Sequence, residues 1–443
     1  MITRVEIDGF KSFRRFAIDL EPLSAIVGPN ASGKSNLFDA IQLIAGLATK
    51  DIRSAIFGMR GEPEELFRKR GAELDERIEL AVELLLPPSG IDPFGTKYTV
   101  KAQRLRYSLV LSMRRGPSGV LEGLFIDSEE CKPIKKSRDQ SAFARGQAKF
   151  IKYGGNIRDF LVTEGTGDAR VFKIRQDGPN KSGKPRVLPA KEASQTALST
   201  VASAEFPHLF AVKDFFSRIS FLVINARNAR RESDRFQTKS MLPDASNISA
   251  VLARIKDDTS TTDRPDGVLV DISRGLARLI PSTRRVLSVT SVDKKEYSFE
   301  IEMADGATFS SRVISDGTLR LLALVTFLED PNRAGLLCFE EPENGVHEGR
   351  IPALVESLRE ATKDVSSGYF QVLLNTHSPA LMSALDDAEI IAADVVTMVS
   401  QGNKEKFTRM RAGAQAQVEL IEPQKHLTRF EIERLLRARG DSA

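Results

Sequence analysis

Residues 28–35 read Gly-Pro-Asn-Ala-Ser-Gly-Lys-Ser, GPNASGKS. Ahead of them stands an apolar run, Leu23–Val27, and behind them Leu37, Ile41, Ile44 and Ala48 recur on one helical face. The pattern G-x-x-x-x-G-K-[ST] at a strand-to-helix junction is that of a P-loop. Its glycines let the backbone curl so that consecutive N–H groups point at phosphate oxygens, and the helix N-terminus adds positive potential. Lys34 is then placed to reach the β- and γ-phosphates of a nucleotide, and the Ser35 hydroxyl to hold Mg²⁺. The phosphate-binding set expected here is Gly28, Pro29, Asn30, Ala31, Ser32, Gly33, Lys34 and Ser35, with Asn36 adjoining it.

A second stretch, CFEEPENGVH (Cys338–His347), looks like a buried strand, Leu336–Phe339, that breaks into carboxylates. Alone, this is an acidic turn after a core strand. Beside a P-loop it has a use. Such a site needs a carboxylate to hold the metal, directly or through water, and a base to prepare the nucleophile. Glu340 suits the metal role and Glu341 the catalytic base, provided their strand lies next to the one feeding the P-loop. The metal carboxylate in such sites is usually aspartate, so Glu340 brings an extra methylene. VLLNTHSP (Val372–Pro379) is another apolar strand, ending at His377, which could sense the γ-phosphate. SDGTLRLLAL (Ser315–Leu324) reads as an apolar helix with Ser315 as its N-cap.

The rest of the chain sets bounds. Its 443 residues suffice for two or three domains, and 41% hydrophobic content is ordinary for a globular protein. Cys131 and Cys338 make neither a disulfide framework nor a zinc cluster, which fits a reducing cytosol, so a cytoplasmic location is expected. The opening MITRVEIDGF lacks the apolar core of a signal peptide, and no stretch suggests a membrane span. The formal charge of +4 permits contact with nucleic acid without arguing for it. Strands are expected at Arg4–Ile7, Phe16–Leu20, Arg77–Leu86, Leu105–Met113, Arg170–Arg175, Val286–Val292 and Tyr297–Met303. CKPIKKSRDQ (131–140) and QDGPNKSGKPR (176–186) read as exposed loops. No heptad pattern is sustained, so a long coiled-coil arm is not expected, and no internal repeat is found. The pattern predicts an α/β ATPase-like core split by a large α+β insert: residues 1–88, the insert 89–285, residues 286–395, and a C-terminal extension 396–443.

Taken in order, GPNASGKS, SDGTLRLLAL, LLCFEEPENGVH and NTHSP resemble the ABC-type ATPase heads of the SMC, RecF and OLD-like families, over residues 1–85 and 285–395. The chain is most similar to stand-alone bacterial OLD-like AAA-family ATPases that lack a Toprim nuclease domain. The resemblance implies an ABC-type P-loop head, a mixed sheet with flanking helices and an N-terminal antiparallel β subdomain. It also implies a head-to-tail dimer, or a larger assembly, that sandwiches two ATP molecules. Ser315 and Gly317 would meet the γ-phosphate held by the partner's P-loop. Glu341 would be the base, His377 the switch histidine, and Asn344 part of the loop that crosses the interface. Ser315-Asp316-Gly317-Thr318 departs from the LSGGQ of transporters, which argues against a transport subunit. Gln103 and Gln195 both stay open as the Q-loop glutamine. By the same resemblance Arg14, in FKSFRR, and Arg60, in FGMRGEPEELFRKRG, are nucleotide-contact candidates, although a solvated charged face explains either.

KPIKKSR (132–138) and NARNARRESDR (225–235) could touch duplex DNA phosphates, and their poverty in aromatics gives no stacking platform for single strands. The stretch after Pro379 is too short for a Toprim nuclease, and its end, EIERLLRARGDSA, reads as a short amphipathic helix. The function expected is therefore that of an ATP-hydrolysing sensor or scaffold in bacterial anti-phage defence, acting with a separate nuclease or toxin. The alternatives are a RecF/SMC-like DNA repair or maintenance ATPase and a nucleotide-gated binding module with little turnover.

Overall fold

A computed structural model describes the chain except residues 72, 179–183, 239, 292, 294, 364–368, 401–402, 414–425 and 438–443. Val292, the middle of the expected loop 176–186 and the end of the C-terminal tail thus lie outside the described residues. The chain forms two compact units, one of residues 1–219 with 387–443 and one of residues 220–386. The expected insert divides between them, with 89–219 in the first unit and 220–285 in the second.

In the first unit an eight-stranded antiparallel sheet grows from the N-terminus. Ile2–Asp8 alternates buried and half-exposed residues, as a strand with one covered face must. It pairs with Phe16–Asp19 on one side and Arg77–Leu85 on the other, and the sheet continues through Arg104–Arg115, Leu121–Pro133, Leu161–Glu164, Val171–Ile174 and Arg186–Pro189. Its interior holds an ion pair. Fully buried Arg104 donates from Nε and Nη2 to the two oxygens of Asp139 at 2.7 and 2.8 Å, and from Nη1 to Thr3 Oγ1 and the Leu84 carbonyl. Removing one partner of such a pair costs about 3–5 kcal/mol, because a buried charge is left uncompensated. This corrects the reading of 131–140 as an exposed loop. Cys131 is a buried strand residue and Asp139 is a core ligand, so only Lys135 to Arg138 and Gln140 are exposed in that stretch.

The strand Leu23–Val27 is buried at every position, as its apolar run suggested, and pairs in parallel with Ile390–Ser400. That strand turns back into Asn403–Gly413, with Ile391 opposite Ala412 and Thr397 opposite Lys406. The helix Lys34–Thr49 is the longest among the described residues, at 16 residues, and is buried on most of its faces, including Leu37, Ile41, Ile44 and Ala48. No described helix is long and apolar enough to cross a membrane.

In the second unit Leu336–Glu340 and Gln371–Thr376 lie in parallel, in a register that sets Glu340 beside Asn375. Both are near-continuous apolar runs, the pattern of strands covered on both faces. The helix Leu269–Leu279 buries Leu269, Ile272, Leu276 and Leu279, a single stripe at helical spacing. A Cβ on its Gly275 would stand 2.8 Å from a methyl of Val325, so glycine allows its close approach to the helix Asp316–Glu329. That approach helps to fix the helix that Ser315 caps.

Candidate nucleotide site

The phosphate-binding half is built from the backbone. Between the buried strand and the helix, Ala31 and Gly33 take φ of 60° and 90°, the left-handed region that bends the chain into a loop. A Cβ on Gly28 would meet the Ala393 carbonyl at 2.5 Å, and one on Gly33 would meet Thr408 Oγ1 at 2.0 Å. These two positions therefore accept glycine for lack of space, and Gly33 for its φ as well. The helix that follows has no side-chain cap and no acidic residue in its first turn, so its N-terminal dipole stays unopposed by local carboxylates. Lys34 Nζ donates to the carbonyls of Gly28 at 2.8 Å and Pro29 at 3.0 Å. The Ser32 hydroxyl is buried and has no hydrogen-bond partner among the described residues. A glycine-bent loop at a helix start, with a lysine folded on its carbonyls and a buried hydroxyl unsatisfied, fits the phosphates of a nucleoside triphosphate.

The neighbouring basic residues are engaged with protein groups. Arg14 Nη1 pairs with Glu405 Oε2 at 3.1 Å and contacts Met398 Sδ. Arg60 is largely exposed and lies 3.6 Å from Asp39, whose other oxygen takes Lys11 Nζ at 2.7 Å. Asn36 donates from its side chain to Ser12 Oγ at 2.8 Å. Gln103 is buried, donating to the Leu86 carbonyl and accepting from Lys152 N–H, whereas Gln195 is exposed and bridges to Asp51.

The carboxylate half is built from side chains. At the end of its strand Glu340 accepts from Asn375 Nδ2 at 3.0 Å. Glu341 donates its N–H to the Asn375 carbonyl at 2.9 Å and then takes φ of 49°, unusual for a residue with a Cβ. The turn swings its carboxylate away from the strand. Asn344 Nδ2 donates to Oε2 at 2.7 Å, and His377 Nδ1 lies 3.2 Å from Oε1. Three of the expected residues, Glu341, Asn344 and His377, thus form one cluster. Ser315 Oγ accepts from Thr318 N–H at 3.2 Å as the N-cap of its helix. Gly317 of that helix faces Gly345, where a Cβ would come within 2.7 Å of the Gly317 Cα. This close passage holds the Asn344 loop against the helix start.

Sequence reasoning missed several supports of this half. Glu343 accepts from Thr376 Oγ1, which in turn accepts from Ser378 N–H at 2.9 Å, so the residues on both sides of His377 are tied down. The stretch 225–235 is also less free than its charge suggests. Asn225 caps the short helix Ala226–Ala229, and Arg230 is spent on the Ile314 carbonyl and Asp316. No local pattern marks the pairing of Glu343 with Thr376 or of Arg230 with Ile314 and Asp316, because each joins segments far apart in the chain.

The first unit thus carries the P-loop sequence at a strand-to-helix junction, and the second unit carries a carboxylate-ended strand beside the strand that leads to His377, with a helix capped by Ser315. Residues 23–383 match the family described as "AAA domain, putative AbiEii toxin, Type IV TA system", and the chain belongs to that family. It is similar to structural maintenance of chromosomes protein 1 of Schizosaccharomyces pombe, 42% identical over 126 residues that make up 24% of this chain and 10% of that protein. The DNA replication and repair protein RecF of Streptomyces avermitilis is 29% identical over 136 residues, 30% of this chain and 33% of RecF. The chain therefore matches only a minor part of each relative. The crystal structure of the Smc head domain with a coiled coil and joint from Pyrococcus yayanosii aligns over 99% of both chains at 12% identity and a TM-score of 0.48. The family shown for the chain is thus that of the AAA domain, and its likeness to SMC and RecF proteins is confined to those segments.

Proposed function

We propose that the protein binds ATP at Gly28–Asn36 and hydrolyses it with Glu341 as general base, working as a head-to-tail dimer. The observation that carries this reading is the cluster of Glu341 with Asn344 and His377. A carboxylate held by two side-chain partners, and turned out by a left-handed residue, is oriented toward a substrate rather than toward its own strand. Asn344 fixes Oε2, and Oε1, which faces His377, would take the proton from an attacking water. Ser35 and Glu340 would hold Mg²⁺, which when bound neutralises charge on the β- and γ-phosphates. Ser315 and Gly317, at the positive end of the Asp316–Glu329 helix, suit the γ-phosphate held by a second copy. Arg14 and Arg60 would have to exchange their carboxylate partners for nucleotide to contribute.

In the cell we assign the protein to anti-phage defence, as an OLD-like sensor or scaffold with a separate nuclease or toxin as effector. The toxin–antitoxin wording of the family description supports this reading. A second reading, a DNA repair or maintenance ATPase, is favoured by the RecF match. Sedimentation of Glu341→Gln with ATP, with ADP and with linear duplex DNA separates them. The dimer reading expects an ATP-dependent doubling of mass. A monomer under every condition would overturn it. DNA-stimulated turnover would favour the repair reading over the defence one, and tight ATP binding without turnover in the native protein would mark a nucleotide-gated module.

A further inference from the structure

Thr408 lies in the strand Asn403–Gly413, far in sequence from every motif of the site, yet its hydroxyl reaches the P-loop. It is almost fully buried and donates to the Ser32 carbonyl at 3.1 Å. Its Oγ1 is also 2.7 Å from Ser12 Oγ, and Ser12 accepts from Asn36 Nδ2 at 2.8 Å. The amide must donate, and the Thr408 proton is committed to Ser32. The order is therefore fixed: Asn36 donates to Ser12, Ser12 to Thr408, and Thr408 to the Ser32 carbonyl. The Thr408 backbone N–H anchors the other end, donating to the Ser12 carbonyl at 2.9 Å.

We propose that Thr408 is a positioning residue for ATP binding, acting by setting the orientation of the Ser32–Gly33 peptide. The proposal rests on the P-loop reading above. In a planar trans peptide the C=O and the following N–H point in opposite directions. Holding the Ser32 carbonyl against Thr408 therefore turns the Gly33 N–H the other way, into the loop that receives phosphate. The peptide needs such a hold. Gly33 has a left-handed φ and no Cβ, so its own preferences leave both peptide orientations accessible. Thr408 also occupies the place of a Gly33 side chain, which ties the glycine to its buttress. Glu405, three residues earlier on the same strand, pairs with Arg14 and Arg68 and clamps the strand to the N-terminal loops.

The test is a binding titration of the full chain with a fluorescent ATP analogue, run beside thermal unfolding of the nucleotide-free protein. Thr408→Val keeps the shape and removes the donor. It should raise Kd about tenfold, the weight of roughly one hydrogen bond. Thr408→Ser should restore binding, and Ser12→Ala should weaken it through the same chain. The double variant Thr408→Val/Ser12→Ala should be no worse than Thr408→Val alone, because both changes break one relay. If Thr408→Val fails to fold, Ser12→Ala and Thr408→Ser carry the test. Native affinity in Thr408→Val and Ser12→Ala, with binding lost in Lys34→Ala, would overturn the positioning role and leave the P-loop reading intact. Native affinity in Lys34→Ala would instead remove the P-loop reading and this proposal with it.

Discussion

The two sets of candidate residues, one in each unit, are made in different ways. The phosphate half is a backbone object: at Gly28 and Gly33 a Cβ would collide, and the helix that follows has no side-chain cap over its first N–H groups. The carboxylate half is a side-chain object. Glu341 takes its place from Asn344 and His377, and the chain around His377 takes its place from Thr376 and Glu343. A backbone site is written in consecutive residues and tolerates little change at its glycines. A side-chain site is assembled from segments 30 or more residues apart, as Glu343 and Thr376 are, and should lose function in steps as its partners are removed.

That difference can be broken experimentally. The largest effect is expected from Lys34→Ala, which removes the main cation facing the phosphates. ATP affinity should fall by about two orders of magnitude or more, on the order of 3 kcal/mol for a charge-assisted contact, and isothermal titration would measure it. Affinity within twofold of native would contradict a phosphate-binding role. His377→Ala comes next. It should lower kcat by roughly tenfold to a hundredfold and leave KM nearly unchanged, because the histidine touches Glu341, the proposed base. A rise in KM with unchanged kcat would place His377 in binding instead.

The smallest effect concerns stability of the phosphate half. Glu129 is fully buried and accepts from Tyr107 O–H and from the N–H groups of Ala197 and Leu198, in a segment whose Thr196 hydroxyl donates to the Leu47 carbonyl of the P-loop helix. Burial pushes its pKa up from 4.5 to about 7. Between those values the folded protein holds a proton that the unfolded chain releases. The contribution is therefore complete below pH 4.5 and is lost as pH rises through 7, amounting to at most about 3 kcal/mol. The unfolding temperature should fall from pH 5 to pH 8, and Glu129→Gln should flatten that slope. An equally steep slope in the variant would assign the pH dependence to other groups.

How much of this was legible follows the same division. The setting of Gly28–Ser35 between a strand and a helix could be read outright, and the strand Leu23–Val27 has the bounds its apolar run predicted. Ser315 as N-cap was legible too, because capping is a local property. Asn375, Thr376 and Thr408 were not. A threonine inside a strand looks the same in sequence whether it is buried idly or holds a P-loop carbonyl. The stretch 131–140 misled for the opposite reason: its lysines announce an exposed loop, while Asp139 answers a buried arginine that lies 35 residues away. Charge density reports the average setting of a segment and says nothing about its one buried member.

The claim that unites the two halves is that both serve one hydrolysis reaction, and steady-state turnover of Glu341→Gln beside native protein tests it most directly. The account predicts ATP affinity within a few-fold of native and a kcat reduced by about two orders of magnitude or more, since proton acceptance is lost while shape is kept. Hydrolysis by Glu341→Gln at the native rate would contradict it and would place the base outside the carboxylate cluster.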